Sequence, residues 1–174
     1  MQKIIFYTDG SCKKENVGGF GVVAFEGEKL LIVKKERAKD TTNNREELKA
    51  IISALAFINL YKDSYFKNKE IIIYSDSSYC INAINDWIPN LWSKNNWKNS
   101  QKKEVKNKDL IMTLYKYINK NFIKNQVKFK HIKGHNGDLG NEIADALATA
   151  DKEKFSLLIR NNKINLNYIL NIKF

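Results

Sequence analysis

The chain is predicted to fold as an α/β protein, on three observations. Two short continuous apolar runs, Ile4-Ile5-Phe6-Tyr7 and Ile71-Ile72-Ile73-Tyr74, have the length and β-branched character of buried strands. Between them Leu48, Ile51, Ile52, Leu55 and Ile58 recur at the spacing of one helix face. A helix joining two buried strands lets them lie parallel through a right-handed crossover.

In chain order, residues 3–8 form the first strand, which is expected to stop at a turn at Asp9-Gly10. Gly18 to Phe25 reads as a second strand, Gly27-Glu28 as a hairpin turn, and Leu30 to Lys35 as a third strand. The helical period then begins, with Thr42 or Asn43 as its N-cap. The strand Ile71 to Ser75 is followed by a helix from about Ser77 to Asp86. A helical stretch from about Asp109 to Asn121 leads to a last strand, Val127 to Ile132. Gly134-His135-Asn136-Gly137 is a loop, and a helix runs from about Leu139 to Ala150. From Phe155 onward apolar and polar residues alternate only weakly, and no element is assigned there. No internal repeat and no second domain is visible.

Composition narrows the classes. A chain of 174 residues with 43% hydrophobic residues has enough apolar material for one domain with a full core. One proline and eight glycines argue against a long linker. No apolar run approaches a membrane span. Cys12 and Cys80 lie far apart, and Ile4 to Tyr7 is too short for a signal peptide, so a reducing cytoplasm is expected. The net charge of +11 favours a polyanionic partner. Between Lys94 and Lys133 there are twelve lysines against two acids, Glu104 and Asp109. Such a run can be a solvated face and nothing more. Trp87, Trp92 and Trp97, interleaved with Lys94 and Lys98, shift the balance towards nucleic acid, because aromatics stack on bases while lysines attract phosphate.

Four carboxylates stand in four separate motifs: Asp9 in Tyr7-Thr8-Asp9-Gly10-Ser11, Glu47 in Asn43-Asn44-Arg45-Glu46-Glu47-Leu48, Asp76 in Tyr74-Ser75-Asp76-Ser77-Ser78, and Asp145 in Asn141-Glu142-Ile143-Ala144-Asp145. Each has an ordinary reading. Asp9 can serve a turn, Glu47 can favour the positive end of its helix, and Asp76 can cap the helix after it. Asp145 is harder to dismiss, because it interrupts an apolar helix pattern where an unpaired charge is costly. Asp9 and Asp76 each follow a buried strand. Were those strands adjacent, both acids would sit on the carboxyl edge of the sheet, where α/β proteins build sites. Clustered carboxylates within a basic protein are suited to a hard divalent cation working on a polyanion.

The motifs occur in an order that resembles ribonuclease H of type 1. The resemblance runs from about Lys3 to Ala150 and rests on Thr8 to Cys12, Gly18 to Gly21, Thr41 to Leu48, Ser75 to Tyr79, Lys133 to Gly137 and Asn141 to Asp145. It implies a ribonuclease H-like fold, a mixed five-stranded sheet flanked by helices on both faces. Residues 1–154 would form the catalytic domain, with a handle at about 87–106, and residues 155–174 an extension of unassigned role. Asp9, Glu47, Asp76 and Asp145 would bind two Mg²⁺ ions, with Mn²⁺ as a possible substitute. Hydrolysis would fall on the RNA strand of an RNA/DNA hybrid, leaving 5′-phosphate and 3′-hydroxyl ends. His135 matches a histidine that assists proton transfer or product release. Cys12, Thr42, Asn43, Asn44 and Ser78 match substrate-facing positions, and Trp87, Trp92, Lys94, Trp97 and Lys98 match the handle that grips DNA. A monomer is implied, with no obligate protein partner and no membrane.

The sequence departs from the family pattern in places. The loop from Cys12 to Gly18 lacks the usual prolines, so Asn16 is not assigned to substrate; the handle is one residue longer at Ile88 to Leu91; and Ser78 replaces a longer amide. Two other readings stay open. One is a resolvase- or transposase-like DNA nuclease or a detached reverse-transcriptase domain of the same superfamily, and the other is a binder without catalysis. Four retained carboxylates weigh against the binder, since acids without metal repel phosphate.

Overall fold

The computed structural model describes residues 2–169. Five strands form a single sheet: β1 (Lys3–Cys12), β2 (Gly18–Glu26), β3 (Lys29–Ala38), β4 (Glu70–Ser75) and β5 (Val127–His131), in the order β3-β2-β1-β4-β5. The β1–β2 and β2–β3 pairs are antiparallel, whereas β1–β4 and β4–β5 are parallel. The sheet is therefore mixed, as expected. β1 differs in its length. Its own apolar run ends at Thr8, but pairing with β2 carries it through Asp9↔Gly21 to Cys12↔Gly18, so Asp9-Gly10 is not a turn.

Helix α1 (Asn43–Leu60) crosses from β3 to β4, and Thr42 caps it, its Oγ1 accepting from the Arg45 N–H at 3.3 Å. Helix α2 (Ser78–Asn82) is capped by Ser77, not by Asp76. It runs on through residues 83–91 with wider, π-type turns that accommodate Pro89 inside a helix. The predicted single helix before β5 is two, α3 (Lys108–Ile118) and the short α4 (Asn121–Gln126). Helix α5 (Leu139–Ala148) follows the His135 loop, and α6 (Lys152–Asn161) forms where no element was predicted. The last five residues of the expected extension, 170–174, lie outside the described residues.

Alternation along the strands makes two cores. Ile4, Phe6, Val22, Ala24, Ile71 and Ile73 face α1 to α4 and pack on Leu48, Ile51, Leu55, Ile58 and Ile111. Val23 and Leu30, with Tyr7 and Phe25 beside them, face α5, packing on Ile143, Ala144 and Leu147. Each fully buried side chain of this size contributes about 1.5–3 kcal/mol. Two glycines set how closely the helices approach. A Cβ on Gly10 would lie 2.1 Å from the Glu47 nitrogen, and one on Gly21 would lie 2.2 Å from the Ala144 oxygen. Only glycine allows both helices to touch the sheet beside Asp9. Among the described residues no helix is long and apolar enough to cross a membrane.

Candidate active site

The parallel pairing of β1 with β4 ends at Thr8↔Ser75, and each strand delivers its next residue, Asp9 or Asp76, to the carboxyl edge. Gly10 lets the first turns of α1 press against this edge, which brings in Glu47. Carboxylate oxygens of Asp9, Glu47 and Asp76 lie within 4.8 Å of one another. Asp9 and Glu47 are buried, with 6% and 8% exposure, while Asp76 is half-buried. Asp9 Oδ1 accepts from the Gly10 N–H at 2.9 Å, whereas Glu47 Oε2 is buried without a hydrogen-bond partner.

Burial and crowding hold protons here. Burial, then the charges of Asp76 and Asp145, push the Asp9 carboxyl up to about 7. Glu47 is pushed well above the ordinary carboxylate range by burial and by Asp9 and Asp76. An orphaned carboxylate oxygen amid packed acids is costly on its own, and its chemistry fits a hard, oxygen-seeking cation.

Asp145 comes from α5, drawn in where Gly21 meets Ala144. It is near enough to raise Asp9, but its carboxylate groups with His135 and Glu142, not with the other three. Its Oδ2 accepts from Lys154 Nζ at 2.6 Å, and Lys154 makes a second 2.6 Å contact with Glu142 Oε2. His135 is 79% exposed, at a left-handed φ of +51°, with Nδ1 4.0 Å from Glu142.

The substrate-facing residues predicted from the sequence fall into two groups. Cys12, Thr42, Asn43 and Asn44 meet where β1 ends and α1 begins, and the Cys12 N–H donates to Asn43 Oδ1 at 2.5 Å. Trp87, Trp92 and Trp97 are half-buried against the main core. Trp87 lies 5.4 Å from Trp92 and 5.8 Å from Tyr79, and Trp97 lies 5.1 Å from Tyr115, ring centre to ring centre. Lys94 and Lys98 are exposed beside them. The segment expected to be the handle is thus seated on the domain by its aromatics and shows Lys94 and Lys98 to solvent.

Three neighbours escaped the sequence reading. His131 Nε2–H donates to the Asp76 carbonyl at 3.2 Å and lies 3.1 Å from Ser78 Oγ, on the strand beside Asp76. Glu46, 1% exposed, accepts from Thr41 Oγ1 at 2.6 Å and pairs with Lys49 at 2.7 Å, bracing the start of α1 next to Glu47. Lys154 is the third. Only the end of β5 beside β4 could have pointed to His131; pairings across a turn leave no periodic trace.

A sequence profile described as RNase H matches residues 1–153. The chain belongs to the ribonuclease H family. A Ribonuclease H of Clostridium botulinum is 40% identical over 162 residues, covering 90% of this chain and all of that protein. One of Francisella tularensis subsp. novicida is 43% identical over 148 residues, covering 84% of this chain and 88% of that protein. Among solved structures, LC9-RNase H1, a type 1 RNase H with the type 2 active-site motif, shares the fold at a TM-score of 0.69 and 22% identity, over 88% of this chain and 73% of that one. LC11-RNase H1 in complex with RNA/DNA hybrid shares it at 0.61 and 24%, over 86% and 98%. Membership accounts for the strand order.

Proposed function

We propose that this chain hydrolyses the RNA strand of RNA/DNA hybrids, with two Mg²⁺ ions held by Asp9, Glu47, Asp76 and Asp145, leaving 5′-phosphate and 3′-hydroxyl ends. The observation that carries the reading is the cluster of buried Asp9 and Glu47 with half-buried Asp76, and its unpartnered Glu47 oxygen. Relatives named Ribonuclease H support it, at 40% identity over nearly the whole chain. When bound, such ions supply a nucleophile at neutral pH and stabilise charge on the attacking and leaving oxygens. Mn²⁺ is expected to substitute, because the donors are all oxygens.

The chain's own groups do the rest. Asp9 and Glu47 give up the protons that crowding retains, so loading the site releases protons and is favoured by rising pH. Cys12, Thr42, Asn43 and Asn44 border the carboxylates and face the hybrid's shallow groove, where 2′-hydroxyls distinguish RNA from DNA. Ser78, at the start of α2 and 3.1 Å from His131 Nε2, adds a polar group next to Asp76. His135, exposed on its loop, is free to exchange protons with a departing product. Trp87, Trp92 and Trp97 present Lys94 and Lys98 to the DNA strand. The working unit is a monomer of the cytoplasm, where Cys12 and Cys80 stay reduced.

Asp9→Asn and Asp76→Asn test the reading. Each should lower cleavage by roughly 100-fold or more while hybrid binding survives. Near-normal turnover in either variant would remove the metal assignment.

A further inference from the structure

Helix α6 is held firmly at a corner beyond α5. The Asp151 N–H donates to the Ala146 carbonyl at 2.8 Å, Ala150 takes a left-handed φ of +59°, and Asp151 Oδ1 caps the helix by accepting from the Lys154 N–H at 2.8 Å. Phe155, Leu158 and Ile159 pack on the core formed by Ile143, Ala144 and Leu147. Lys154 is therefore delivered by a fixed helix start. Its Nζ contacts Glu142 Oε2 and Asp145 Oδ2 at 2.6 Å each, with side-chain exposures of 30%, 19% and 20%. One ammonium bridges two carboxylates one helical turn apart. Such like charges repel when unpaired.

We propose that Lys154 is a built-in counter-ion for the Asp145 arm of the site, which one divalent ion must displace before it binds there. The proposal rests on the metal reading above and adds a determinant of cation affinity carried by the segment that follows α5. While the pair is closed, Lys154 Nζ occupies Asp145 Oδ2 and offsets the charge of that carboxylate, so an ion's affinity there is reduced by the strength of the pair. Opening costs little elsewhere, because α6 stays in place through its cap and apolar face and only the flexible lysine stem moves. Glu142 has a second role in this arrangement, as the group that can retain the displaced ammonium.

The test is Mn²⁺ binding without substrate, followed by titration calorimetry on wild type, Lys154→Met, Lys154→Gln and Lys154→Arg. Both neutral variants should bind the weaker of the two ions about five- to tenfold more tightly, and Lys154→Arg should stay within about twofold of wild type. The melting temperature of the metal-free neutral variants should fall, and Mn²⁺ should restore more of it than in wild type. Wild-type affinity in both neutral variants would overturn the counter-ion while leaving the metal site standing. No Mn²⁺ binding by wild type would overturn both.

Discussion

Asp9 sits at the centre of the carboxylate cluster, and three causes act on its one carboxyl. It is buried, it faces Asp76, and it feels Asp145. Its folded value of about 7 stands above the ordinary 3.8, so the native state holds a proton that the unfolded chain releases. Where the native state binds more protons, stability falls as pH rises. The metal-free protein should thus lose about 2–4 kcal/mol from this cluster between pH 4 and 8. Thermal melts in EDTA should show a lower melting temperature at pH 8 than at pH 5.5, with the gap narrowed in Asp9→Asn. A flat profile would mean that the acids are not crowded as described. Asp9 was legible in the sequence, since its motif and its place after an apolar run both pointed to a site. The pairing of Lys154 with Asp145 was not. It depends on the turn at Ala150, whose left-handed backbone no spacing rule reveals.

The elements owe their positions to contacts the periodic pattern does not encode. β1 was predicted to end at Asp9 because its apolar run ends there; the strand continues because β2 supplies a partner as far as Gly18. Asp9 is thereby held rigidly within a strand, where a turn would have let it move. Helix α6 escaped prediction although Phe155, Leu158 and Ile159 have helical spacing, because charged and polar residues dilute so short a pattern. By contrast β4, α1 and α5 were read with errors of a residue or two, since each has a long apolar face. Close approach at glycine gives a direct test of how α5 reaches the site. Gly21→Ala places a methyl 2.2 Å from the Ala144 carbonyl, so α5 must shift outward and take Asp145 with it. The expected cost is about 1–3 kcal/mol by denaturant unfolding, with a loss of cleavage beyond the unfolded fraction. Full activity in a variant that unfolds at the wild-type midpoint would show that Asp145 needs no such placement.

Taken as a whole, the molecule sets an acidic centre in a basic exterior. Its net charge of +11 attracts phosphate, and the proposed handle would give that attraction a location. Trp92 lies tilted against Trp87 while Lys94 stays exposed, so Trp92→Ala with Lys94→Gln should raise KM for hybrid several-fold and leave kcat nearly unchanged. The dependence of binding on salt should flatten by about one phosphate contact, a change in log–log slope of roughly 0.7–0.9. An unaltered slope would place the handle away from the nucleic acid. The sequence announced basic residues and tryptophans here, with a core role open for one or two of them; all three pack on the core, Trp87 beside Tyr79 of α2 and Trp97 beside Tyr115 of α3. The most direct measurement on the whole account uses end-labelled RNA/DNA hybrid, double-stranded RNA, single-stranded RNA and duplex DNA, each with Mg²⁺ or EDTA. The prediction is cleavage of the hybrid's RNA strand alone, only with metal, leaving 5′-phosphates. Cleavage of duplex DNA, cutting that persists in EDTA, or tight binding with no cleavage in any metal would contradict it.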